Sequence, residues 1–284
     1  MPEAATTLGM VILRGAEQLR SANIPDPRQH AHRIWSDLAG TALADVVLGG
    51  DREVGLDAAG RFELAVARRV RGEPLAHVTG ITGFRRLVLA VDSRVLIPRP
   101  ETEGLVDLIL ERVSSGRIAD VGTGSGCLAL SLAQEGGFSQ VVGVDCSADG
   151  LAVARLNQRV NGLPVDLVCG DLCRPLRPRA FDALISNPPY LTEAEYRDLD
   201  PSVGDWEPEL ALVGGADGMS AMRRLLDEGR DVLSAGGWLA LELDCTRAVA
   251  TAAHANDLGW QDVSVHMDLF ARERYLLARR SNTR

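Results

Sequence analysis

The sequence lacks most of the features that would restrict it to a specialised environment. No apolar run approaches the ~20 residues needed to span a bilayer. The amino-terminal stretch has no basic segment followed by an apolar one, so no signal peptide and no membrane association are expected. The five cysteines, Cys127, Cys146, Cys169, Cys173 and Cys245, are odd in number and form no C-x-x-C pair. That argues against a disulfide framework and for a reducing, cytoplasmic setting. Cys169 and Cys173 flank Asp171, but their expected role is as buried apolar thiols, and no metal site is expected. H-E-x-x-H, G-x-S-x-G and a triad-like spacing around the five histidines are all missing, which leaves hydrolytic designs without support.

Excess positive charge is missing as well: 30 basic residues face 39 acidic ones, for a net charge of −9. Duplex binding draws most of its affinity from phosphate neutralisation by a basic face, so direct nucleic-acid binding is disfavoured. A basic protein partner or a small substrate fits the balance better. What is present is an ordinary globular composition, 46% hydrophobic and 24% charged over 284 residues. A chain of that length forms one large or two modest domains and can bury a core without metal or disulfide staples. No coiled coil or sustained apolar face demands an oligomer, and a monomer is expected.

Residues 1–72 read as a helical amino-terminal domain. Thr7 is placed to cap a helix carrying Leu8, Val11, Ile12 and Leu19 near a 3.6-residue period. Pro25-Asp26-Pro27 breaks the chain before a second helix with Ile34, Trp35 and Leu38 on one side. Phe62, Leu64, Val66 and Val70 mark a third. Residues 73–98 read as a β-hairpin linker, with Gly80, Gly83 and the runs Leu87-Val88-Leu89 and Val95-Leu96-Ile97 as short extended pieces. Glu101-Thr102-Glu103 then opens a helix, its carboxylates suited to the positive end of the helix dipole. In residues 99–284, apolar runs at 117–121, 140–145, 165–169, 181–186, 237–243, 261–267 and 273–279 alternate with mostly helical segments. This pattern predicts an α/β domain with a mainly parallel sheet covered on both faces, the last two strands being antiparallel neighbours.

Asp120-Val121-Gly122-Thr123-Gly124-Ser125-Gly126 follows a strand and opens a helix. Glycine lets the backbone turn sharply and approach a ligand at the carboxyl end of a strand. The third glycine arrives one residue too early for the dinucleotide fingerprint G-x-G-x-x-G, and no Walker lysine follows. The G-x-G-x-G form resembles motif I of the Rossmann-like methyltransferases, which implies a seven-stranded sheet and S-adenosyl-L-methionine as methyl donor. Asp145 ends the second strand 23 residues after Gly122, placed either to accept bonds from both ribose hydroxyls or to cap a helix. Asp171 and Leu172 close the third strand, where the resemblance puts the adenine.

The fourth strand runs directly into Asn187-Pro188-Pro189-Tyr190. A planar –NH₂ group is a poor nucleophile because its lone pair is delocalised. The Asn187 side-chain oxygen and the Pro188 carbonyl can accept its two N–H bonds, localise the lone pair and aim it at a methyl donor. Neither Pro188 nor Pro189 has an N–H to compete, and the Tyr190 ring can pack against the flat target. No metal and no strong base is needed, since the proton can leave after transfer.

Three stretches together resemble the release factor glutamine methyltransferases, the PrmC or HemK family: Ile97-Pro98-Arg99-Pro100-Glu101-Thr102-Glu103, Asp120–Gly126 and Ser186–Tyr190. Glu207-Pro208 with Ala211-Leu212, and Gly214-Gly215 with Asp217-Gly218, extend the likeness over about residues 74–280. The resemblance implies methylation of the glutamine in the Gly-Gly-Gln loop of class I release factors. The helical domain would hold that protein. Gly122, Thr123, Gly124, Ser125, Gly126, Asp145, Asp171, Leu172 and Asn187 would contact the cofactor, and Asn187, Pro188, Pro189 and Tyr190 the target amide. Alternatives within the superfamily are a ribosomal-protein glutamine or adenine in nucleic acid, since N-P-P-Y is shared with adenine methylases. Two positions depart from the family pattern: Cys245-Thr246-Arg247 stands where a glycine and then a glutamine are common, and His77 where tyrosine is common.

Overall fold

A computed structural model describes residues 6–282. The chain divides into two compact units. The first runs up to Ile81 and takes in Asp200–Trp206. It is built from α1 (Leu8–Ser21), α2 (Pro27–Ala39), α3 (Leu43–Leu48), α4 (Leu56–Val70) and α5 (Leu75–Thr79), so its helical structure continues beyond residue 72. Leu8, Val11, Ile12, Ala16 and Leu19 of α1 meet Ile34 and Trp35 of α2 and Ala59, Phe62 and Val66 of α4 in one core. The Trp35 and Phe62 rings lie 5.6 Å apart. Gly15 permits this approach, because a Cβ there would sit 2.7 Å from the Phe62 ring.

Two expectations for this unit are corrected. Thr7 stands at the N-cap position but makes no side-chain cap bond. The free N–H groups of Leu8 and Gly9 donate instead to the carbonyls of Arg52 and Gly50, in a backbone strap beside the Thr7–Glu53 bridge. Leu64 of α4 is exposed, and Val70 is partly so. The buried stripe is Ala59, Phe62, Ala65 and Val66. An i+2 step places Leu64 about 200° around the helix from Phe62, off that face.

The chain then forms the hairpin β1 (Ile81–Phe84) and β2 (Leu87–Ala90), which from Thr82 on belongs to the second unit. Arg85 turns it in a left-handed conformation and anchors it to Glu135, Asp107 and the Glu103 carbonyl. The Arg85–Glu135 pair is nearly buried on both sides, so it holds more than the surface pairs do. The chain has no lysine, so arginine forks serve every such role. Val95-Leu96-Ile97, expected to be extended, belongs to no strand. The Ile97 N–H donates to the Glu207 carboxylate, and the two prolines that follow remove the donors a ladder would need.

Beyond it, α6 (Pro100–Leu110), β3 (Ser115–Val121), α7 (Cys127–Glu135), β4 (Gly137–Asp145), α8 (Ala148–Asn161), β5 (Asp166–Cys169) and β6 (Phe181–Ser186) follow in turn. Next come α9 (Glu193–Arg197), α10 (Pro201–Gly204, within the first unit), α11 (Ser220–Val232), β7 (Leu233–Glu242), α12 (Ala248–Asp257), β8 (Gln261–Met267) and β9 (Glu273–Arg279). The seven-stranded sheet has the order β5-β4-β3-β6-β7-β9-β8, all parallel except β9. All seven expected strands are present, β4 and β7 starting a few residues early.

Alternate residues feed two cores, as the pleat requires. Ile118, Val141, Ala183, Ile185, Ala240 and Leu277 pack with α6 and α7. Ala119, Val142, Leu184, Leu239, Leu241 and Leu276 pack with α11 and α12. Among the described residues no helix is long and apolar enough to cross a membrane. Cys173 is buried, as expected, but Cys169 is exposed, because it ends the edge strand β5.

Asn157 of α8 is fully buried and ties three segments together. It accepts from the Ala90 N–H at 2.6 Å and donates to the Ala90 carbonyl at 3.0 Å and the Ser125 carbonyl at 2.9 Å. Asn157→Ala leaves these groups unpaired and should cost about 1–3 kcal/mol. Urea denaturation read by far-UV circular dichroism should show a lower midpoint at unchanged slope.

Candidate active site

The site is built where β3, β4, β5 and β6 end, since a parallel sheet with a strand-order reversal opens a crevice at its carboxyl edge. Past β3 the chain turns through Gly122 and Gly124 at φ of 78° and 53°. Only glycine adopts this cheaply, and open space lies where either Cβ would project. Val144, at the end of β4, accepts from the N–H groups of Gly122 and Thr123, which pins the loop to the sheet. Gly126, also at positive φ, is the N-cap of α7, and a Cβ there would press on Leu130 and Ala154.

Two carboxylates shape this loop. Asp145 accepts from the Gly124 N–H and the Ser147 N–H, both at 2.8 Å, which fixes its orientation toward the loop. Ser147, not Asp145, caps α8. Asp120 is fully buried and accepts from the Thr123 hydroxyl at 2.6 Å and the Ala129 N–H at 3.1 Å. Burial pushes it up to about 7, and the Asp145 charge adds to the rise. Its other oxygen, Oδ1, has no partner. Asp171 is gripped by both arms of the Arg224 guanidinium at 2.9 Å and by Arg174, and the Arg224 bond holds its carboxyl below the usual range. Leu172 beside it is in the left-handed region.

β6 delivers Asn187 to the same edge. The Ser186 hydroxyl, fully buried, donates to the Val121 carbonyl at 2.6 Å, so the residues before Asn187 and before Gly122 are tied together. Asn187 Nδ2 donates to Thr102 Oγ1 at 3.2 Å, and its Oδ1 is left as a free acceptor. Pro188 is buried, and none of the described residues donates to its carbonyl. Tyr190 is half-buried against the core, and its phenol is pushed up to about 12 by desolvation. The strand-like pairing of Leu191 with Val213 carries the chain on, and Gly214 is required there because a Cβ would lie 2.4 Å from the Pro189 carbonyl.

These parts enclose one cavity of about 320 Å³ within the second unit. Gly122, Thr123, Gly124, Ser125, Asp145, Asp171, Leu172, Asn187 and Pro189 all line it. Gly126, Pro188 and Tyr190 lie outside its lining. The sequence motifs contained Asp120, Thr102, Pro208 and Ala211 but gave them no site role, and gave none to Glu242 or to Leu210 and Val213, which with Thr102, Pro208 and Ala211 line the cavity. Asp120 carried a signal, an acid inside the apolar run Ile118–Val121. Thr102 lay in the P-R-P-E-T-E stretch, but nothing local reveals that α6 and β7 meet beside Asn187, so neither its contact nor a role for Glu242 could be read from the chain. Arg99 and the Ile97 N–H both bind Glu207, which joins the Pro98–Pro100 segment to the Pro208 wall. Arg247, at the position of departure from the family pattern, is 7% exposed and binds Glu195, Asp244 and the Asp217 carbonyl.

The chain matches known proteins along nearly its whole length. Residues 100–199 fit the family profile described as Methyltransferase small domain, and residues 11–80 that described as PrmC N-terminal domain. A release factor glutamine methyltransferase of Deinococcus radiodurans is 38% identical, over 95% of this chain and 98% of its own. One of Nitratidesulfovibrio vulgaris is 36% identical, over 97% and 96%. The fold is similar to a crystal structure of a methyltransferase from Pyrococcus furiosus, with a TM-score of 0.55 at 21% identity, covering 76% of this chain and 97% of that one. By full-length identity well above 30%, this chain belongs to the release factor glutamine methyltransferase family.

Proposed function

We propose that the chain transfers a methyl group from S-adenosyl-L-methionine to the side-chain amide nitrogen of the glutamine in the Gly-Gly-Gln loop of class I release factors. The observation that carries this reading is the Asn187 carboxamide, held by Thr102 with its oxygen unpaired, on the wall of the cavity that the glycine loop and Asp145 also line. The names and full-length likeness of the relatives support the substrate.

The residues present fit the cofactor. Gly122 and Gly124 leave a Cβ-free cradle, and Asp145 offers lone pairs on both oxygens beyond the two it gives to backbone N–H groups. Gly122 to Gly126, Asp145, Asp171, Leu172 and Asn187 are assigned to cofactor binding, with Leu172 against the adenine. Bound there, S-adenosyl-L-methionine supplies an electrophilic sulfonium methyl. Asn187 Oδ1 and the Pro188 carbonyl accept the two amide N–H bonds of the glutamine and turn its lone pair toward that methyl. Pro189 and Tyr190 enclose the flat amide and exclude water. The gain comes mainly from orientation, for which fixed acceptors cost no reorganisation at the moment of reaction. The helical first unit is assigned to holding the body of the release factor.

A transfer assay with methyl-labelled cofactor tests the reading. Label should enter a purified release factor and be lost when its Gly-Gly-Gln glutamine is replaced; labelling of the glutamine-free factor at the wild-type rate overturns it. Asn187→Ala should lower kcat/KM by about 30–1000-fold, corresponding to ~2–4 kcal/mol of barrier. Asp145→Ala removes charged acceptors, so calorimetry should show cofactor affinity about 10–100-fold weaker.

A further inference from the structure

Asn187 can offer the cavity either an acceptor or two donors, depending on which way round its carboxamide sits. Only the acceptor suits a substrate N–H. Its Nδ2 donates to Thr102 Oγ1, and Thr102, in the first turn of α6, is 2% exposed. A hydroxyl that accepts one bond still has its own proton to give. The acceptor at hand is the Glu242 carboxylate beside it, 1% exposed at the end of β7 and with its Oε2 unpartnered. The Glu242 backbone pairs with Tyr275 in the β7–β9 ladder, but its side chain, like that of Thr102, is a buried polar group with no part in that pairing.

We propose that Glu242, acting through the Thr102 hydroxyl, is a positioning residue that keeps the acceptor face of Asn187 turned into the cavity. This inference rests on the methyl-transfer reading of the site given above. Ionised Glu242 has no proton to donate, so Thr102 must donate to it and can only accept from the Asn187 N–H. Oδ1 then faces the substrate. Protonated Glu242 can donate to Thr102, whose hydroxyl is then free to donate to a reversed carboxamide, and the cavity meets –NH₂ against –NH₂.

The groups facing Glu242 place this exchange in an accessible range. Arg99 and Glu101 approach from the start of α6, Arg274 and Tyr275 from β9, Tyr190 from the loop after β6 and Cys127 from the start of α7. Burial raises Glu242 to about 7, opposed by the nearby Thr102 hydroxyl and the arginines. The working form is the charged one, so activity grows as pH rises through that value and fades below it.

The test uses the full chain labelled with ¹⁵N. The Asn187 side-chain amide signals are identified by their absence in Asn187→Ala and followed between about pH 5.5 and 8.5. In wild type they should shift with a midpoint near neutrality. In Glu242→Gln the shift should vanish, and the step in the pH profile of kcat should vanish with it. Thr102→Val should lower kcat by about 10–100-fold while weakening cofactor binding less than Asp145→Ala does, and Thr102→Ser should restore most of the loss. Wild-type kcat in Thr102→Val, or an unaltered Asn187 titration in Glu242→Gln, overturns the proposal. Should wild type methylate no release factor, the substrate reading fails while the amide titration still decides the relay.

Discussion

Parallel pairing of β3 with β6 is the constraint on which the rest of the site depends. Ile118, Ala119 and Asp120 stand opposite Ala183, Leu184 and Ile185, and the Ser186 hydroxyl closes the pair by binding the Val121 carbonyl. The glycine loop leaves one strand and Asn187 the other, so one register sets both. A one-residue slip would send Asn187 to the opposite face of the sheet. The neighbouring β3–β4 register does the same for Asp145, whose carboxylate reaches the Gly124 N–H.

Around that frame the protein accepts a cost. Asp120 and Glu242 are both buried, both carry an unpartnered oxygen and both are raised to about 7. A carboxyl whose pKa rises on folding favours the native state most below its unfolded pKa. That advantage is lost as pH rises through the folded value. These two acids therefore weaken the fold toward neutral pH, where other carboxyls such as Glu135, held low by Arg85, strengthen it. Polar groups buried at some expense beside a cavity are where function is to be sought.

The ion pairs divide by exposure. Arg224 with Asp171 is more than a third exposed on both sides, and its value lies in shaping the cavity rim more than in stability. Arg99 with Glu207, the acid almost fully buried, fixes the Pro98–Pro100 segment. That segment carries Thr102 into α6, so the P-R-P-E-T-E stretch and the N-P-P-Y stretch meet in a single hydrogen bond between Thr102 and Asn187.

Much of this was legible in the linear chain, wherever the physics is local. Alternating apolar runs determined seven strands, because burial on both faces of a parallel sheet demands them. Glycine spacing placed the loop, because glycine adopts the left-handed turns at 122, 124 and 126 without strain. Adjacent prolines marked a rigid, acceptor-rich turn. Local pattern failed where a partner from afar intervened. Thr7 looked like a cap, but the first N–H groups of α1 are taken by residues 50 and 52. Val95–Ile97 looked extended, but Glu207 claims the Ile97 N–H from 110 residues away. Leu64 looked like core, but its helix turns it outward. The sequence by itself determined the fold class and the residue types of the site. Only the tertiary structure decided which way the Asn187 carboxamide faces, because α6 and β7, distant along the chain, supply the hydroxyl and carboxylate behind it.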